Sequence, residues 1–263
     1  MDRAITDFDQ AIMLDQNGWA AYYGRGGAYN AKGNFDHAVA DYSRAISLEP
    51  KNAAALYNRG LIYFKQGNSD DAIADFDRTI ELEPGATDVY VSRAGAYTHK
   101  SDFDHAVADL DQAIVLDSKN AWAYQMRAMI ELYAGALSKA LADLDKASEV
   151  DPKSSYAAIW RDIVNKRSNL PSGLTRAVTL IDMNKWPVPV IRLYLGELTP
   201  ADVLAAADDR KADIKKGQVC EASFYIGELA LQQRENEEAA RLSGSQPWTV
   251  LKTLSSGTPR RPN

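Results

Sequence analysis

Residues 19–52 open with Trp19-Ala-Ala-Tyr-Tyr-Gly-Arg-Gly-Gly-Ala-Tyr29. They pass through Lys32-Gly-Asn-Phe-Asp-His-Ala38 and close on Ala45-Ile-Ser-Leu-Glu-Pro50. The same plan returns over 53–86, 87–120 and 121–154. Gly26, Gly60, Ala94 and Ala128 stand 34 residues apart. Ala38, Ala72, Ala106 and Ala140 keep the same step, as do Tyr42, Phe76, Leu110 and Leu144. Pro50, Pro84 and Pro152 close three units, and Ser118 stands where the fourth proline belongs. A fixed period of this kind marks stacked supersecondary units, none of which can bury its apolar face alone.

Each period holds two amphipathic stretches of about 14 residues with helical spacing. Gly33-Asn34, Gly67-Asn68 and Gly135 mark the turn between them, where glycine accepts a positive φ. The small pair Gly26 and Ala38 lets two antiparallel helices approach closely, with Tyr29, Tyr63, Tyr97, Tyr42 and Phe76 filling the space around such contacts. Working outward, Ala4, Phe8 and Ala11 match second-helix positions of a preceding unit, and Tyr156 to Arg167 reads as one more first helix. The predicted array is a partial repeat over 1–18, full repeats over 19–52, 53–86, 87–120 and 121–154, and an extra helix over 155–168.

With small, aromatic and proline positions in phase at this period, the segment resembles the tetratricopeptide repeat (TPR) family. The resemblance implies an all-α fold, a right-handed superhelix or α-solenoid, whose concave wall is built from first helices and receives a peptide. Family groove positions fall at Tyr23, Gly27 and Asn30, then at Tyr57, Leu61, Phe64 and Lys65. They continue at Asp88, Val91, Gly95, Thr98 and His99, and at Trp122, Gln125, Met129, Leu132 and Tyr133. Tyr156, Ile159, Ile163, Lys166 and Arg167 close the series. The expected peptide contacts are Tyr23, Asn30, Tyr57, Leu61, Phe64, Val91, Trp122, Gln125, Met129, Tyr133 and Tyr156, since aromatic and Met side chains offer large contact area. The alternative is that the C-terminal region folds back and covers these residues as core. A carboxylate clamp of the chaperone-binding kind is not expected. Asn58 matches one clamp position, but Tyr23, Gly27, Asp88 and Ser92 occupy others.

A charged ladder shares the period: Arg25, Arg59, Arg93, Arg127 and Arg161, with Asp7, Asp41, Asp75, Asp109 and Asp143. One reading is a row of arginines gripping an acidic ligand. The other, favoured by the directional fork of guanidinium on carboxylate, is an internal ladder that fixes helix register. Separations of 16 and 18 both satisfy the spacing.

The phase breaks at Ser168-Asn-Leu-Pro-Ser-Gly173. Leu174 to Met183 predicts a short helix, stopped by Trp186-Pro-Val-Pro189. Thr199-Pro200-Ala201-Asp202 predicts a helix start, with Thr199 as cap, Pro200 in the first helical position and Asp202 near the positive dipole end. Gly217 to Ala230 reads as a degenerate first helix with Gly227 at the small position and Ala239 as its second-helix partner. Phe224, Tyr225 and Leu229 are left either packing on Trp186, Leu193 and Tyr194 or partly exposed. The stretch 186–242 resembles bacterial TPR proteins akin to the NlpI lipoprotein group, which implies a cell-envelope adaptor. The predicted module covers 169–242, and 243–263 reads as a disordered tail.

The 263 residues are 46% apolar with a net charge of −6, which argues against disorder and against a nucleic-acid backbone as partner. Cys220 is the single cysteine, and His37, His99 and His105 offer it no partner of known geometry. His37 and His105 recur beside Asp36 and Asp104, which reads as repeat structure rather than a catalytic pair. Gly24-Arg-Gly-Gly27 lacks the Lys-Ser/Thr of a phosphate loop. No catalytic residue, metal site or cofactor is expected. No apolar run approaches ~18 residues, so no membrane span is predicted. Met1-Asp2-Arg3 carries no secretory signal, which predicts a cytoplasmic protein, or a periplasmic or envelope one if the N-terminus is incomplete. The expected function is a non-catalytic scaffold or adaptor for a protein or peptide ligand. The alternatives are a self-assembling structural protein, suggested by the uncapped first helix, and an accessory fragment of a larger enzyme system.

Overall fold

Small residues at the repeat period set how closely the helices approach. In the computed structural model, which describes residues 1–207 and 211–232, a Cβ on Gly26 would stand 3.1 Å from the Tyr42 ring and 3.3 Å from the Ala38 carbonyl. Ala38, Ala72, Ala94, Ala106, Ala128 and Ala140 are fully buried, as the close approach of paired helices requires. All regular structure among the described residues is helical.

The chain divides into two compact units, Met1–Leu116 and Asp117–Asn263. Unit 1 holds α1 (Asp2–Leu14) and three hairpins. These are α2 (Trp19–Ala31) with α3 (Phe35–Leu48), α4 (Ala53–Lys65) with α5 (Ser69–Leu82), and α6 (Thr87–His99) with α7 (Phe103–Leu116). Unit 2 begins with α8 (Ala121–Tyr133), α9 (Leu137–Val150) and α10 (Ser155–Arg167). It continues with α11 (Leu174–Ala177), α12 (Val188–Tyr194), α13 (Pro200–Ala206) and α14 (Ala212–Gln232).

The turns follow from backbone chemistry. At the end of α2, Gly33 takes φ +76°, and the amides of Gly33 and Asn34 donate to the carbonyls of Asn30 and Tyr29, both at 2.9 Å. Two otherwise orphaned carbonyls are thereby satisfied. Gly67 and Gly135 repeat the positive φ, but Ser101 holds the corresponding place after α6 at φ +60°. Helix starts are capped where the sequence allows: Asn52, Asn120 and Ser154 each accept from the backbone amide three residues on.

The charged ladder is internal, and its separation is 16. Arg25 donates from Nε and Nη2 to Asp41 at 2.8 and 2.7 Å, and from Nη1 to Asp9 at 2.6 Å. Arg59 grips Asp75 in the same way and reaches back to Ser43 Oγ at 2.8 Å. Within unit 2, Arg127 grips Asp143, and Arg161 reaches back to Asp145. Each guanidinium in unit 1 thus ties its own hairpin together and also fastens it to the preceding second helix. Asp7, 18 residues before Arg25, is exposed, and Asp9 takes the backward position instead.

One apolar core in unit 2 runs from Ala128 through Trp160 to Ile226, so α8–α10 share it with helices beyond residue 168. The predicted helix from Leu174 ends at Ala177, and the predicted start at Thr199 carries a full capping box with Asp202. Phe224 and Tyr225 are buried against Trp160, with ring centroids 5.7 and 5.6 Å away, and Tyr194 Oη donates to the Tyr225 carbonyl at 2.9 Å. Leu229 is half-buried. Ala239 and the predicted tail over 243–263 lie outside the described residues.

Candidate functional site

The first helices of unit 1 carry Tyr23 and Asn30 on α2, Tyr57, Leu61 and Phe64 on α4, and Val91 on α6. The period places them along one series of helices, and side-chain hydrogen bonds link that series. Asn58 Nδ2 donates to Tyr23 Oη at 3.0 Å, joining α4 to α2. Tyr57 Oη lies 3.2 Å from Ser92 Oγ, joining α4 to α6. Ser92 gives its own proton to the Asp88 carbonyl at 2.8 Å, so the Tyr57 hydroxyl is the donor to Ser92. Both links span 35 residues, one period plus one.

Aromatic packing behind this face holds the tyrosines in place. Tyr23 lies between Trp19 and Tyr42, at centroid distances of 6.4 and 5.7 Å, and Tyr57 lies 5.9 Å from Phe76. Burial and the neighbouring Tyr23 push the Tyr42 hydroxyl up to about 12. Tyr23, Asn30, Tyr57, Leu61 and Val91 are half-buried. Phe64 differs: it is buried, 4.7 Å from the His99 ring, and a Cβ on Gly95 would stand 3.1 Å from its Cζ. It supports the face more than it lines it. Lys65 extends over the Phe35 ring at 4.5 Å, and the Asn30 amide makes no side-chain hydrogen bond among the described residues.

Unit 2 treats the corresponding residues differently. Gln125 and Met129 are buried, at 5% and 2% exposure, and Trp122 is half-buried against the same core. The Tyr156 hydroxyl donates to Glu221 at 3.0 Å, beside Trp186 Nε1 at 2.6 Å on the same oxygen. The Tyr133 hydroxyl donates to Glu228 at 3.3 Å, and Arg167 pairs with that carboxylate. Of the residues expected to line an open groove, Gln125 and Met129 are buried, and the Tyr133 and Tyr156 hydroxyls are taken up by Glu228 and Glu221 of α14. The physical reason is the stripe Glu221, Phe224, Tyr225 and Glu228 at i, i+3, i+4 and i+7. It brings two rings onto Trp160 and two carboxylates to waiting phenols. Burial raises Glu221 above its ordinary value of 4.5, opposed by the Trp186 and Tyr156 hydrogen bonds. Burial first, and then the facing glutamate, push the Tyr133 and Tyr156 hydroxyls upward.

Sequence reasoning omitted Trp19 and the linking roles of Asn58 and Ser92. The recurrent 35-residue offset from tyrosine to a polar partner was the available signal.

A TPR-repeat family model matches residues 26–67, and a tetratricopeptide-repeat model matches 53–85. Residues 26–85 carry tetratricopeptide repeats. The fold of the chain is shared with YrrB, described as a TPR protein with an unusual peptide-binding site. That likeness has a TM-score of 0.57 at 18% identity and covers 73% of this chain and 98% of that one. MamA gives a TM-score of 0.55 at 22% identity, over 57% of this chain and 87% of its own. MamA (41-end) from Desulfovibrio magneticus RS-1 gives 0.56 at 17% identity, over 59% and 87%. At these identities the likeness concerns the fold alone. No curated protein matches the chain. Among the described residues, no helix is long and apolar enough to cross a membrane.

Proposed function

We propose that this chain is a non-catalytic interaction scaffold whose first-helix face in unit 1 holds a peptide or helix of another protein. One observation carries the reading. Tyr23 and Tyr57 are half-buried and already hydrogen-bonded to Asn58 and Ser92, so they offer fixed rings and fixed hydroxyls. Rings held in advance lose little freedom when a partner docks, which leaves more of the contact energy for affinity. Leu61 and Val91 add apolar surface, Asn30 adds a free amide, and buried Phe64 keeps α4 and α6 in register. YrrB, of the same fold, is described as having a peptide-binding site, which agrees with this reading.

The test is selection from a random peptide library on the full chain, followed by affinity measurement of the selected peptide. A Tyr23→Ala, Tyr57→Ala double variant with unchanged helical circular dichroism is expected to bind at least about tenfold more weakly. Equal binding by both proteins would remove this face from the function.

A further inference from the structure

The fifth rung of the arginine ladder is incomplete. Arg25, Arg59, Arg93 and Arg127 each grip a carboxylate 16 residues on, at Asp41, Asp75, Asp109 and Asp143. The residue 16 beyond Arg161 is Ala177. Arg161 keeps only the backward contact, from Nε to Asp145 at 2.6 Å, so Nη1 and Nη2 make no hydrogen bond among the described residues. This guanidinium lines a cleft of about 590 Å³ bounded by α9, α10 and α11. Gly173 makes room for it, since a Cβ there would stand 2.7 Å from Nη1.

Two further donors line the same cleft. Arg176 is exposed and makes no ion pair among the described residues, and Asn165, at 5% exposure, makes no side-chain hydrogen bond among them. Leu174, Ala177 and Leu180 supply an apolar wall. Asp145 is engaged by Arg161 and Glu149 by Lys146, while buried Asp162 lies 2.8 Å from Lys166 Nζ with neither of its oxygens hydrogen-bonded among the described residues. With Asp151 the lining carries four carboxylates against two arginines, so a doubly charged phosphate is repelled more strongly than a single carboxylate, whose favourable contact is with the Arg161 fork.

From these observations we infer that the cleft between α9, α10 and α11 binds a single carboxylate on a short aliphatic body, gripped by Nη1 and Nη2 of Arg161. The incoming group takes the part that an internal aspartate plays on the other four rungs. Planar, forked donors suit a carboxylate better than a point charge does. The carboxylate comes either from a free small acid or from an acidic side chain of another polypeptide.

The experiment titrates the full chain with sodium butyrate and, separately, with a blocked pentapeptide bearing one central glutamate. The backbone amide resonance of Leu174, which lines the cleft and is kept in every variant, reports binding. A saturable shift is expected, weakened at least about tenfold in Arg161→Gln. Ala177→Asp, which places an acceptor in the cleft itself, is expected to weaken binding comparably while the protein stays folded. Inorganic phosphate at matched ionic strength is expected to give no saturable shift. Tighter binding of the peptide than of butyrate supports the inference and assigns the carboxylate to a polypeptide; the reverse supports it and assigns a small acid. A non-saturable response to both ligands, binding unchanged in Arg161→Gln and Ala177→Asp, or tighter binding of phosphate would overturn it.

Discussion

Arg93 holds Asp109 through two parallel hydrogen bonds, Nε to Oδ2 at 2.8 Å and Nη2 to Oδ1 at 2.6 Å. Its remaining nitrogen reaches Asp77 on the preceding second helix at 2.6 Å. One side chain therefore sets the register inside a hairpin and the register between hairpins. The hydrogen bonds to Asp109 are the main cause that raises the Arg93 guanidinium above its ordinary value, against the opposing effect of its burial. Asp109 is buried at 5% exposure, so the pair is sheltered from water on the carboxylate side.

Removing the cation from such a pair should cost far more than the pair itself contributes. Asp75 is 3% exposed, and Arg59→Ala would leave its carboxylate buried without its guanidinium. The expected loss is about 3 kcal/mol, the range seen when one partner of a buried ion pair is deleted. Arg161→Ala, whose partner Asp145 is 45% exposed, should cost under about 1 kcal/mol. Urea unfolding of both variants checks the contrast; equal losses would mean that the ladder does not act through buried carboxylates.

Two glycines of the first helices should respond to alanine with opposite signs. At Gly60 a Cβ would stand 2.8 Å from the ring of Phe76, which is fully buried and has nowhere to move. Overpacking of about 1–3 kcal/mol exceeds the roughly 1 kcal/mol gained in helix propensity, so Gly60→Ala should destabilise. At Gly27 the nearest atom is Tyr42 Oη at 3.7 Å, an ordinary contact, and Gly27→Ala should stabilise by about 1 kcal/mol. Thermal midpoints that move in the same direction would contradict this account.

The repeat made α2 to α10 legible because every helix start, small contact and turn recurs at one spacing. It also placed Tyr23 and Tyr57, since a position in one unit names its counterpart in the next. What sequence left open was physical choice between near-equal geometries. Asp7 and Asp9 lie on the same helix, and only packing selects Asp9 as the partner of Arg25. The hold of α14 on Tyr133 and Tyr156 was hidden for a different reason. Glu221 and Glu228 carry charges that normally mark a solvated face, and here they meet Tyr156 and Tyr133 instead. Their spacing with Phe224 and Tyr225 was visible, but the phase of the repeat was already lost.

Ser101 occupies a left-handed turn that glycine fills after three other first helices. A side chain at φ +60° costs about 1 kcal/mol, a penalty that glycine escapes. Ser101→Gly should therefore raise stability by roughly that amount, and Gly67→Ala should lower it by a similar amount. A fall in thermal midpoint for Ser101→Gly would show that its side chain, and not its backbone, governs the turn.

The hold of α14 on unit 2 should weaken as the solution becomes less acidic. Burial raises the Glu221 carboxyl in the folded chain above its ordinary 4.5, so the folded state binds this proton more tightly than the unfolded state does. Between the unfolded and folded values, unfolding releases a proton, and linkage makes stability fall as pH rises. Below the unfolded value both states are protonated, and the contribution is complete. Glu221→Gln has no proton to lose yet keeps an oxygen to accept from Tyr156 and Trp186. Its stability should match the wild type at pH 4 and exceed it at pH 7, with the difference opening between the unfolded and the folded value of the carboxyl. Urea unfolding followed by tryptophan fluorescence, which reads Trp160 and Trp186 in this core, measures it. A wild-type advantage that grows with pH would mean that the ionised carboxylate is the form α14 needs.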